Sequence, residues 1–127
     1  MLFVGRFSKR PGRGEFASGL RNISAFALQI ILDRAAQARN ILDISPEDFV
    51  HVARVAQKIA RAAMEAFDAD GITIQQFSEP AGGQVVFHLH VHVMPRHEGV
   101  MLLPPASRKE DGKVLEANAA KLMAALK

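Results

Sequence analysis

The chain contains no cysteine, no tryptophan and no tyrosine. Without cysteine there is no disulfide scaffold, no thiolate zinc site and no cysteine nucleophile, and the composition fits a reducing cytoplasm. Without tyrosine no phenol can act as acid or nucleophile, and aromatic packing rests on the eight phenylalanines. Long hydrophobic runs are also missing, so no segment is suited to crossing a bilayer and no membrane partner is expected. Gly, Pro, Ser and Arg interrupt residues 5–22, which excludes a signal-type apolar stretch after the basic start.

What is present suits one compact, soluble domain: 127 residues, 49% of them apolar and 23% charged. The net charge of +3 is unevenly spread. Residues 1–41 hold seven Lys/Arg against Glu15 and Asp33, net +5, and the remainder is net −2. Such an arm could meet an anionic surface, but no aromatic platform is interleaved with its charges. A solvated, irregular segment is the better reading of residues 5–22, and a nucleic-acid partner is not expected.

Ile23 to Leu32 reads as a buried strand or short helix, and Arg34 to Leu42 as a connection. Ser45-Pro46-Glu47-Asp48 then starts a helix: an N-cap hydroxyl, a proline at the first helical position and two acids at the positive dipole end. Phe49, Val52, Ala53, Ala56, Ile59, Ala60, Ala63 and Phe67 form its apolar stripe, and Gly71 is suited to the left-handed stop. Ile72 to Phe77 reads as a strand, Glu79 to Gly83 as a turn, and Gln84 to Pro95 as a longer strand rich in valine. A last amphipathic helix after Asp111 presents Val114, Leu115, Asn118, Leu122, Ala125 and Leu126. The order predicts an α+β domain with helices packed on an antiparallel sheet.

The chemistry concentrates in Phe87-His88-Leu89-His90-Val91-His92-Val93-Met94-Pro95. In a strand, His88, His90 and His92 share one face at steps of about 6–7 Å, with Leu89, Val91 and Val93 on the other. Strand propensity does not ask for three histidines there. They could be a half-solvated polar face. They could be zinc ligands, although any further ligand must come from elsewhere. They could instead be nucleophile and hydrogen-bond donors acting on a phosphate. Ala81-Gly82-Gly83-Gln84 leads directly into them, and a glycine pair lets backbone N–H groups approach an anion, which favours the phosphate reading.

Gly83-Gln84-Val85-Val86-Phe87-His88-Leu89-His90-Val91-His92-Val93-Met94-Pro95-Arg96 resembles the signature of the histidine triad (HIT) family of nucleotide hydrolases and transferases. The likeness runs from about residue 34 to the end, taking in Asn40-Ile41-Leu42-Asp43, the Ser45–Phe67 helix, Asp68 to Ile72, and Glu98-Gly99-Val100. It implies a HIT-like antiparallel sheet with one long central helix and a C-terminal helix, a single domain over 1–127 whose residues 1–22 are atypical. It implies hydrolysis of a nucleoside phosphoramidate or related α-phosphate linkage in the cytoplasm, by a homodimer, without metal or other cofactor. The small-molecule partner would be a purine nucleoside monophosphate derivative. His90 would attack phosphorus to form a nucleotidyl-histidine, and His92 would hydrogen-bond the phosphoryl or bridging oxygens. His88 would hold the nucleophile's orientation and tautomer, partly through its backbone, and backbone groups of Gly83 and Gln84 would cradle the phosphate. A nucleotide-binding module without turnover is the alternative of a different class.

The chain departs from the family pattern at four places. Val85 stands where a phosphate-reaching Ser or Thr is common, leaving only its backbone N–H. Phe77 stands where an Asn or Gln often contacts substrate, with Gln76 and Ser78 beside it as substitutes. Glu15 to Phe26 fills the usual ribose-side stretch, placing Ser18, Arg21, Ala25 and Phe26 at its Asp, Pro, Gly and His. Residues 1–14 show no counterpart of the family's opening strands.

Overall fold

A computed structural model describes residues 38–102 and 111–126 with their side chains, and the backbone of 2–7, 16–24 and 27–34. Its order is β1 (Leu2–Phe7), β2 (Phe16–Ser24), β3 (Ala27–Arg34), α1 (Pro46–Phe67), β4 (Gly71–Gln75), a short 3-10 turn (Pro80–Gly82), β5 (His90–Arg96) and α2 (Gly112–Ala125). The strands form one antiparallel sheet in the order β1-β2-β3-β5-β4, an α+β architecture.

Residues 5–22 are therefore not the irregular segment their composition suggests. Most belong to β1 and β2, which pair from Leu2↔Leu20 to Phe7↔Phe16, while β2 pairs β3 from Phe16↔Arg34 to Ser24↔Ala27. Backbone groups close a ladder whatever the side chains, so a stretch with weak hydrophobic alternation can still be a strand when neighbours supply its partners. Ile23 to Leu32 resolves as the end of β2 and most of β3, not a helix. Ser18, Arg21, Ala25 and Phe26 lie outside the residues whose side chains are described.

Helix α1 starts as its sequence requires. The Ser45 hydroxyl accepts the Asp48 N–H at 3.2 Å, with Pro46 in the first turn and Glu47 and Asp48 beside the dipole's positive end. It ends earlier than glycine placement suggests. Asp68, not Gly71, takes the left-handed conformation at φ 46°, and Gly71 opens β4. Aspartate tolerates this region because its short polar side chain bonds locally.

Val52, Ala56, Ile59 and Ala63 of α1 pack with Val91 and Val93 of β5 and with Ala119 and Leu122 of α2. Ala53 faces solvent and Ala62 is buried in its place, and on α2 Val114 is exposed while Ala119 is buried. Val93 is wholly buried, which stabilises the fold by about 1.5–3 kcal/mol relative to an exposed valine. The core thus fixes β5 from beneath, with both of its edges paired.

Candidate active site

Strand β5 begins at His90, six residues later than expected from the run of apolar and β-branched residues. Asp33↔His90, Leu32↔Val91, Ile31↔His92 and Ile30↔Val93 join it to β3, and Gln75↔His92 through Gly71↔Arg96 join it to β4. The β3 pairing stops at Val93, so Pro95, which lacks an N–H, sits where only β4 is its neighbour. Residues 84–89 form no ladder. His88 therefore does not share a strand face with the other two histidines, and its backbone carbonyl meets His90.

The Nδ1 atom of His90 lies 2.7 Å from the carbonyl oxygen of His88. A carbonyl can only accept, so Nδ1 carries the hydrogen, and in the neutral ring the lone pair resides on Nε2. The His90 and His92 rings meet edge to face with centroids 4.8 Å apart and planes at 75°. His92 is buried, and the Phe77 ring stands 5.6 Å from it, also edge to face. Thus Phe77, where an amide side chain was a family expectation, packs against the third histidine instead.

Gln76 and Ser78 bond locally. Gln76 Nε2 donates to the Phe77 carbonyl at 2.7 Å, and Ser78 Oγ donates to Gln76 Oε1 at 2.9 Å. The N–H of Gly83 donates to the Pro80 carbonyl and that of Gln84 to the Glu79 carbonyl, each at 3.0 Å. These two amides are committed to the turn, and in this conformation they do not form the anion cradle anticipated from the glycine pair. Gly83 has φ 88°, and a Cβ there would come 3.4 Å from the Phe77 ring. The glycine is required for the turn itself. Val85 is almost fully exposed.

A polar network unsuspected from sequence holds this loop. Asn40 and Gln84 are both buried. Asn40 Nδ2 donates to Glu79 Oε1 at 2.8 Å and to Gln84 Oε1 at 3.0 Å. Gln84 Oε1 also accepts the Glu79 N–H at 2.8 Å, and its Nε2 donates to the carbonyls of Arg39 at 2.7 Å and Val86 at 3.1 Å. Arg39 grips the Glu79 carboxylate with Nε at 2.8 Å and Nη2 at 3.0 Å, while its guanidinium sits 4.2 Å over the Phe87 ring. The Asp43 carboxylate accepts the N–H groups of Arg39 and Asn40, both at 3.0 Å. Glu79 has φ 64° and ψ 161°, a region used almost only by glycine, so these contacts hold a strained residue in place.

The charges are tuned accordingly. Hydrogen bonds from Arg39 and then Asn40 hold the Glu79 carboxyl below the usual range, and Glu79 in turn raises Arg39. Backbone N–H donors of Asn40 and Arg39 lower Asp43. A cleft of about 270 Å³ opens beside this network, lined by Ala38, Arg39, Asp43, Phe87 and His88. The sequence signal that could have located the network is weak. The Asn40–Asp43 spacing suits a side-chain-capped turn, but its partners lie 39 to 45 positions away.

Comparison with known proteins places this geometry. The HIT domain family model matches residues 22–99. An uncharacterised HIT-like protein of Saccharolobus solfataricus is 39% identical over 56 residues, 44% of this chain and 40% of that protein. A bis(5'-adenosyl)-triphosphatase of Dictyostelium discoideum is 36% identical over 56 residues, 44% of this chain and 38% of the enzyme. The chain thus aligns with about two fifths of the length of these curated relatives. A Hit-like protein involved in cell-cycle regulation from Bartonella henselae, solved with an unknown ligand, superposes with a TM-score of 0.80 at 35% identity, covering 99% of this chain and 88% of that one. A zinc-bound histidine triad family protein from Mycobacterium smegmatis gives 0.74 at 28% identity, covering 99% and 85%.

Proposed function

The chain belongs to the histidine triad family, and on that premise we propose that it hydrolyses a nucleoside phosphoramidate or related nucleotide at the α-phosphate. His90 is the nucleophile in this reading. Its Nε2 lone pair forms the bond to phosphorus as the P–N or P–O bond to the leaving group breaks, and the leaving group takes a proton from solvent. Water then attacks phosphorus and gives up a proton to solvent, the histidine–phosphorus bond breaks, and the lone pair returns to Nε2. Splitting one displacement into two lowers the barrier of each. The observation that carries this is the 2.7 Å contact between His90 Nδ1 and the His88 carbonyl, which assigns the free lone pair to Nε2.

His92, packed against His90, is the group we assign to the phosphoryl or bridging oxygens. The substrate we infer is a purine nucleoside monophosphate derivative, met in the cytoplasm by a single HIT-like domain acting as a homodimer. The edge position of β4 and its half-exposed Ile74 support the pairing with a second copy. Incubation with a purine nucleoside phosphoramidate is expected to release amine and monophosphate. His90→Ala is expected to lower kcat by at least on the order of 10³-fold without unfolding the protein. An unchanged rate in that variant overturns the mechanism.

A second reading, a nucleotide-binding module without turnover, is favoured by the exposed Val85 and by the committed amides of Gly83 and Gln84. Tight nucleotide binding with no product from several leaving groups would establish it. Among the described residues no cluster of three or more His, Cys, Asp or Glu is placed to hold a metal. Stoichiometric zinc retained through purification and lost on replacing all three histidines would nonetheless redirect the reading to a metal centre.

A further inference from the structure

We propose that Gln84 is a positioning residue for the nucleophile, fixing the tautomer of His90 through the backbone that carries the His88 carbonyl. The proposal rests on the reading of His90 as nucleophile. Three peptide units separate Val86 from Leu89, and both ends are fastened to the same neighbouring backbone. Gln84 Nε2 ties the Val86 carbonyl to the Arg39 carbonyl, at 3.1 and 2.7 Å, and the Leu89 N–H donates to the Ala38 carbonyl at 2.8 Å. The His88 carbonyl shares its planar peptide unit with the Leu89 N–H, so the Ala38 bond sets its plane and Gln84 fixes the other end of the span.

Gln84 uses all of its polar capacity in doing so. Its two N–H donors take the two carbonyls, and its oxygen takes Asn40 Nδ2 and the Glu79 N–H. The side chain is 5% exposed, and its partner Asn40 is 1% exposed, so water does not compete for these bonds. The strained backbone of Glu79, gripped by Arg39 and Asn40, supplies the N–H that orients the amide. An amide in a buried pocket is thereby assigned one orientation, with the nitrogen toward Arg39 and Val86.

Gln84→Glu tests the assignment. It keeps the acceptor toward Asn40 and Glu79 and replaces the two donors by a carboxylate oxygen that repels the Arg39 and Val86 carbonyls. We expect the purified variant to fold, with KM for a purine nucleoside phosphoramidate within about threefold of wild type. We expect kcat to fall on the order of 10²-fold, the loss typical of a misplacement of about 1 Å at a reacting group. Nitrogen NMR of the His90 ring should shift from a protonated Nδ1 toward a mixture of tautomers. A loss confined to KM, or an unchanged kcat with Nδ1 still protonated, overturns the proposal.

If Gln84→Glu does not fold, Asn40→Asp carries the test. It removes the donor that orients Gln84, and the same kcat loss and ring shift are expected in smaller measure, with their absence counting against the proposal. The wild-type protein exposes it too: a His90 protonated on Nε2 in the ligand-free state contradicts it. Failure here with His90→Ala still inactive leaves the nucleophile standing and removes only the role of Gln84.

Discussion

Two adjoining stretches of one motif are built by different means. Residues 90–96 are a strand paired on both sides at His92 and Val93 and packed from below by α1, whereas residues 83–89 have no ladder and are held by side chains of Arg39, Asn40, Glu79 and Gln84. The first stretch presents the His90 and His92 rings, and the second presents a carbonyl that decides which nitrogen of His90 keeps its lone pair. Rigid placement of rings comes from the sheet. Choice of tautomer comes from a stitched loop, where a polar network can be altered without dismantling the core.

The contrast makes distinct predictions for the two stretches. The larger effect belongs to the strand. Val93→Ala removes methyl groups from a wholly buried site and is expected to cost about 2 kcal/mol of global stability, read as a lower midpoint in urea with an unchanged slope. A negligible shift would mean that β5 is not the centre of the core. The smaller effect belongs to the loop and is brought on by acid. Glu79 and Asp43 both have lowered values in the folded protein, so their contribution is present above the ordinary carboxylate range and is lost as pH falls through the folded values. Amide exchange at 84–89 should then quicken while 91–94 stay protected. Simultaneous loss of protection in both stretches would erase the distinction between them.

The same contrast explains what could be read in advance. The helix cap at Ser45, the apolar stripe through Val52, Ala56, Ile59 and Ala63, and the α+β class follow from local signals of spacing and capping, and the structure shows all of them. The resemblance carried by Gly83 to Arg96 led to the family, which the matched residues 22–99 establish. The start of β5 is not legible because Val85, Val86 and Phe87 look like strand residues yet stand exposed, outside any ladder. Strands β1 and β2 are hidden for the converse reason: their pairing partners, not their composition, make them strands. The Arg39–Glu79 and Asn40–Gln84 contacts join segments about forty positions apart, and no local pattern encodes such a pairing. The family resemblance points to a phosphate role for the Gln84 backbone, whereas its buried side chain serves the loop.

The covalent role of His90 is tested most directly by the stereochemical course at phosphorus. A purine nucleoside phosphoramidate made chiral at the α-phosphorus with sulfur would be hydrolysed in heavy-oxygen water and the product configuration determined. Two successive in-line displacements, one by His90 and one by water, predict net retention. Inversion would mean that water attacks phosphorus directly, and the account of His90 as nucleophile would be wrong.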